Sequence, residues 1–147
     1  MLNDTQENIV MIHQNDNHLI VMTRKIEFLN DMEIKTIDYV LYKVFDNLEA
    51  FDVRSRIATA SIKKEKNFSA FLDNVAVTNN QRNLGYGTII MERLLTDASM
   101  FKISLIFGEI YEGDINTQEK IERFEHFYNK LGFKIDFEKM KMYKYFN

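Results

Sequence analysis

The chain has 147 residues, 46% hydrophobic and 28% charged, with a net charge of −3 and no cysteine. A chain of this size and composition forms one globular domain, here residues 1–147, with enough buried surface for a core; it is neither disordered nor collagen-like. Absent cysteine excludes a disulfide framework, a thiolate metal site and a cysteine nucleophile, and the acidic balance argues against nucleic acid as a partner.

The opening MLNDTQENIV is acidic and polar where a secretory signal is basic and then apolar, and no run approaches about 18 apolar residues. A cytoplasmic protein that does not engage the membrane is therefore expected. Ile9–Ile12 and His18–Met22 are short β-rich runs around Asn15-Asp16-Asn17, which reads as a hairpin, and Lys25–Leu29 extends the sheet. Over residues 34–48, Ile34, Ile37, Leu41, Val44, Phe45 and Leu48 recur at helical spacing, yet Ile37, Tyr39, Val40, Tyr42, Val44 and Phe45 are strand formers. The composition favours a strand over roughly 39–46, ahead of a turn at Asp46-Asn47. Arg56–Lys63 and Ala70–Val77 read as strands joined by the charged turn Lys64–Asn67.

A polar loop, Thr78–Gly87, then runs into a helix with Ile89, Ile90, Leu94 and Leu95 on one face and Glu92, Arg93 and Asp97 on the other. Ile103–Ile110 is an apolar run suited to a central strand. Thr117–Leu131 forms a second amphipathic helix with Ile121, Phe124, Phe127, Tyr128 and Leu131 inward, closed by Gly132. Phe133–Asp136 and Lys139–Tyr145 come next as a closing strand pair. The fold class is α/β (α+β): a mixed, mostly antiparallel sheet flanked by two main helices, with a β-rich N-terminal part. If Lys139–Tyr145 is an exposed edge, it offers pairing across a homodimer.

The strongest local signal is strand Val75-Ala76-Val77, then Arg82-Asn83-Leu84-Gly85-Tyr86-Gly87 opening a helix. The first turn of a helix presents unpaired N–H groups and the positive end of its dipole, so it attracts phosphate. Gly85 and Gly87 allow close backbone approach, Arg82 adds charge and Thr88 a hydroxyl. The third glycine of a dinucleotide fold and the Gly-Lys-Ser/Thr of a P-loop are both missing. Taken alone, two glycines at a strand-to-helix turn also fit a purely structural role.

With the strand Asp73–Val77, the strand Ile103–Ile110 and the segment Phe127-Tyr128-Asn129-Lys130-Leu131-Gly132-Phe133, the loop makes the chain resemble the GNAT superfamily of acyl-CoA-dependent N-acetyltransferases over about residues 56–133. The resemblance implies acetyl-CoA (coenzyme A) as acyl donor, an unidentified primary amine of a small molecule, peptide or protein as acceptor, and direct attack in a ternary complex without a metal. It implies that Val75, Ala76 and Val77 hold the pantetheine arm and polarise the acetyl carbonyl, and that Arg82, Asn83, Leu84, Gly85, Tyr86, Gly87 and Thr88 hold the pyrophosphate. Tyr128 would protonate the departing thiolate, and Asp73 or Glu109 would take the amine proton.

Asp73 alternates with Phe71, Val75 and Val77 on one strand face; two residues earlier, where some family members carry a glutamate, stands Phe71. His126 falls on the charged side of its helix with Arg123 and Lys130 and reads as a solvated histidine. His13 and His18 show no ligand geometry, while Met22, Met140 and Met142 are candidates for a flexible acceptor pocket. The chain departs from the family pattern where one or two helices usually separate the first two strands, since residues 9–50 read mainly as strands. The helix start near Asn116–Ile121 also lacks the family's frequent lead-in. Two other readings stand beside an enzyme. One is a non-catalytic acyl-CoA-binding module of the same fold. The other, a toxin acting on aminoacyl-tRNA, conflicts with the acidic charge.

Overall fold

The computed structural model describes residues 5–15, 18–31, 33–45, 55–78, 81–82 and 84–146. Strands β1 (Thr5–Asn15), β2 (His18–Phe28), β3 (Ile34–Phe45), β4 (Arg56–Lys64) and β5 (Ser69–Val77) come first. Helix α1 (Tyr86–Met100), strand β6 (Leu105–Glu109), a single 3₁₀ turn (Glu112–Asp114), helix α2 (Gln118–Lys130), β7 (Lys134–Asp136) and β8 (Lys141–Tyr145) complete the chain. They form one sheet in the order β1-β2-β3-β4-β5-β6-β8-β7, antiparallel except for the β5–β6 pair. The parallel pair requires a crossover, which α1 supplies. Among the described residues no α-helix precedes Tyr86, and no helix is long and apolar enough to cross a membrane.

Residue 48 lies outside the described residues; over residues 34–45 the ambiguity between helix and strand resolves in favour of a twelve-residue strand. Both its faces are apolar at one end, which imitates helical spacing. Ile37, Tyr39 and Leu41 join the main core, while Tyr42 and Val44 pack with Val21 in a separate cluster. The main-core face is built in cross-strand rows: Ile26, Ile37 and Ile62; Arg24, Tyr39 and Ala60; Met22, Leu41 and Ala58. Over it lies α1, whose Ile90, Met91 and Leu94 are fully buried, each stabilising the fold by about 1.5–3 kcal/mol. Met22 is a fully buried member of this core and does not line an acceptor pocket. The turns at residues 16–17 and 46–47 lie outside the described residues.

Two expectations need correction. Asp97 does not face outward: it is 2% exposed, and its helix turn presses onto β2 and β3. Its carboxylate accepts hydrogen bonds from Tyr39 Oη at 2.6 Å, Arg24 Nη1 at 2.9 Å and Arg93 Nε at 3.2 Å. Burial alone would raise its pKa, but these three donors outweigh it and hold the carboxyl below its usual value. Arg93, half-buried, also donates to the carbonyl of Val10 at 3.2 Å, at the bulge where β1 and β2 shift register between Ile9 and Met11. The second correction concerns the C-terminus. β8 lies between β6 and β7, so it is not an edge available to a second copy; the edges are β1 and the three-residue β7.

Candidate active site

Strand β5 sets up the site through an irregularity that its sequence alternation hides. Ser61 pairs with Asn74 and Ile62 with Leu72, leaving Asp73 as a bulge residue. The extra residue reverses the alternation. Leu72, rather than Phe71, therefore shares a face with Val75 and Val77, and Asp73 and Asn74 are both exposed. On its other edge β5 pairs with β6 only from Ser69 to Phe71. Beyond that point the strands part, and the backbone of Val75–Val77 has no strand partner on that side among the described residues.

Helix α1 begins beside this free edge. Gly85 occupies its N-cap at φ +84, a left-handed conformation that favours glycine, and a Cβ there would meet nothing within 4 Å. Gly87 is closed in: a Cβ there would stand 3.3 Å from the Phe127 ring of α2. Val75, Ala76, Val77, Arg82, Gly85, Tyr86, Gly87 and Thr88 line one cleft of about 670 Å³ with residues of α2, including Tyr128. The Tyr86 side chain is buried in the core, leaving its amide to serve the cleft. Leu84 is exposed and does not line it, and Asn83 lies outside the described residues.

Tyr128 is positioned by its helix and by the turn that ends it. Thr117 caps α2 by accepting from the Lys120 amide at 3.2 Å, and Gly132, at φ +90, closes the other end. The chain then turns back so that the Phe133 amide donates to the Tyr128 carbonyl at 3.0 Å. Ring centroids of Phe124, Phe127 and Phe133 lie 4.6, 4.8 and 5.6 Å from that of Tyr128. The spacing from Tyr128 to Gly132-Phe133 is thus a clamp on one aromatic ring. That ring is 9% exposed, and no described residue hydrogen-bonds its hydroxyl. Burial, and secondarily the charge of Asp114, push its pKa above the usual tyrosine value.

Where β5 and β6 part, a second cavity of about 210 Å³ opens, lined by Asp73, Glu109, Asp114, Val75, Tyr128 and Met142 among others. Both proton-acceptor candidates are therefore brought to the same side of Tyr128. His126 is exposed, yet with Arg123 and Lys130 it borders the larger cleft, so this face of α2 is part of the site. Helical periodicity shows that the three share a face but not what that face looks onto. Asp38 was also missed. It is half-buried on β3, opposite Ser61, whose other partner is Asn74 beside the bulge. Burial raises its pKa; Lys25 opposes this, while Glu27 and Asp73 add to it. Only a strand register could have placed it there.

No protein-family model and no curated protein matches the sequence. Solved structures match the fold. An acetyltransferase of the GNAT family from Staphylococcus aureus Mu50 superposes with a TM-score of 0.57 at 14% identity, over 76% of this chain and 69% of that one. The PaiA N-acetyltransferase from Thermoplasma acidophilum, in complex with coenzyme A, gives 0.55 at 15% identity over 76% of this chain, which spans 62% of the Thermoplasma protein. A Bacillus subtilis acetyltransferase in complex with CoA gives 0.55 at 12% identity over 77% and 78%. The chain therefore has the GNAT fold, as the sequence resemblance implies.

Proposed function

We propose that this protein is an acyl-CoA-dependent N-acetyltransferase that joins acetyl-CoA in the larger cleft to an amine in the smaller cavity. The observation that carries this reading is the position of Tyr128, which lines both spaces. On one side of it are a free strand edge and an open helix N-terminus; on the other are carboxylates.

The residues present fit coenzyme A. The free backbone edge of Val75–Val77 suits the amides of a pantetheine arm, which would add to β5 like a strand. Amides of Gly85–Thr88, helped by Arg82, suit a pyrophosphate, and the open space over Gly85 admits it. When bound, acetyl-CoA supplies an activated thioester carbonyl, which an N–H at Val75–Ala76 would polarise as charge develops on oxygen.

The chain's own groups then manage protons. Asp73 or Glu109, directly or through a water, receives the proton that the amine nitrogen loses. That nitrogen's lone pair forms the C–N bond while the C–S bond breaks and its electron pair leaves on sulfur. Tyr128 gives its proton to the sulfur, and the proton held by the carboxylate restores the tyrosine, so the products are an amide and the free thiol. Tyr128, like an ordinary tyrosine, carries its proton across the physiological range; the raised pKa makes it a weaker acid before the acceptor binds, and a bound cation that offsets the Asp114 charge makes it a readier donor.

Titration of the protein with acetyl-CoA by calorimetry tests the reading. Micromolar binding, about −8 kcal/mol, is expected in the wild type and is lost in Gly85→Glu, which fills the open space with a negative side chain. Arg82→Glu, free of left-handed strain, should weaken binding without altering the fold. Absence of acetyl-CoA binding by the wild type refutes the proposal.

A further inference from the structure

Building on the acetyltransferase reading, we infer that the acceptor is a small linear amine bearing at least one further positive charge, a diamine or polyamine, seated in the 210 Å³ cavity between β5, β6 and the 3₁₀ turn. Asp73, Glu109 and Asp114 all line this cavity, and no lysine, arginine or histidine does. Among the described residues none of the three carboxylates forms an ion pair; Lys141, opposite Glu109 on β8, forms none with it. The three do not group closely enough to hold a metal ion. They come from three separate elements, β5, β6 and the 3₁₀ turn, an arrangement that suits an extended cation better than a point charge.

Tyr128 supplies the independent sign that a ligand belongs here. It is the nine-tenths-buried polar side chain in the cavity wall, and no described residue hydrogen-bonds its hydroxyl. Tyr128 and Asp114 line the same cavity, and the charge of Asp114 adds to burial in raising the pKa of the hydroxyl. A cationic group beside Asp114 would offset this influence and make Tyr128 a readier proton donor.

Size and sign narrow the class. The cavity is smaller than the about 300–1,000 Å³ typical of drug-sized ligands, and Leu72, Phe124 and Met142 give it an apolar wall for a methylene chain. The attacking nitrogen must shed a proton to one carboxylate, which leaves the others to pair with charge elsewhere on the substrate. An acceptor with its own carboxylate, such as an amino acid, meets repulsion from all three.

Three ligands of similar length test this on the full chain: 1,4-diaminobutane, butylamine and ornithine, titrated by calorimetry with and without coenzyme A. The diamine should bind about tenfold more tightly than butylamine, and ornithine more weakly than the diamine. Asp114→Asn, on an exposed turn, should shrink the diamine advantage while acetyl-CoA affinity stays unchanged; 0.5 M salt should shrink it also. Equal binding of diamine and monoamine, or a preference for ornithine, overturns the inference. Loss of acetyl-CoA binding alone overturns the acetyltransferase reading instead, since the amine series is measured directly and needs no turnover.

Discussion

Replacing Tyr128 by phenylalanine removes one oxygen and keeps the ring. Packing against Phe124, Phe127 and Phe133 survives, and no described residue loses a hydrogen bond. Folding stability should change by less than about 0.5 kcal/mol. The cost falls on the departing sulfur. General acid catalysis contributes about 10²–10⁴-fold, and a thiolate, with a conjugate-acid pKa near about 8.5, is already a fair leaving group. The effect therefore belongs at the lower end: about a hundredfold in kcat, or about 2.7 kcal/mol of barrier. Thiol release at saturating acetyl-CoA and 1,4-diaminobutane measures kcat, calorimetry measures acetyl-CoA affinity, and a urea melt measures stability. A kcat within about threefold of wild type refutes the general-acid role. So does a fall in kcat that merely tracks lost stability or lost cofactor binding, which would make Tyr128 a packing residue.

Asp97→Ala strips the acceptor from Tyr39 and Arg24 and should destabilise the protein by about 3 kcal/mol, toward the lower end because Arg93 is 36% exposed and recovers water; chemical denaturation reads the loss. The folded-state pKa of Asp97 lies below its unfolded value, so its contribution is complete above about pH 3.9 and disappears as pH falls further; in Asp97→Asn the acid limb of a stability–pH curve should flatten. Tyr39 and Tyr128 are shifted the other way, Tyr39 by burial and then by Asp97. Their contribution is complete below about pH 10 and is lost as pH rises beyond it, which alkaline melts of Tyr39→Phe would show as a reduced slope. Gly132→Ala, at φ +90, should cost about 1–2 kcal/mol and lower kcat as well, because the turn it makes sets Phe133 against Tyr128.

Helix α2, strands β4 and β5 on either side of the charged turn Lys64–Asn67, and helix α1 were legible because each declares itself within a few residues. Spacing of apolar side chains, Gly85 and Gly132 at the ends of helices, and β-branched runs act through neighbours in the chain. That Val75, Ala76, Val77, Arg82, Gly85, Tyr86, Gly87 and Thr88 line one cleft was legible for the same reason: a strand end, two glycines and a helix start lie close together in the chain. Asn83 lies outside the described residues. Leu84 is exposed and does not line the cleft; a residue type in a loop does not reveal which way its side chain turns.

Tertiary structure alone decided the rest. Asp97 looked solvated because its charge was visible and its partners, Tyr39 and Arg24, stood 58 and 73 residues away. The bulge at Asp73 exists only relative to the pairing of β4, so strict alternation put Phe71 on the wrong face. Asp114 sits on a short turn with no local signature and gains meaning only where β5 and β6 part beneath α2. The sequence by itself determined which segments could be strand or helix and which strand end and helix start meet at one cleft. Register and strand divergence determined which carboxylates share a cavity with Tyr128, because proximity between distant residues is a property of the packed sheet and not of any stretch of chain.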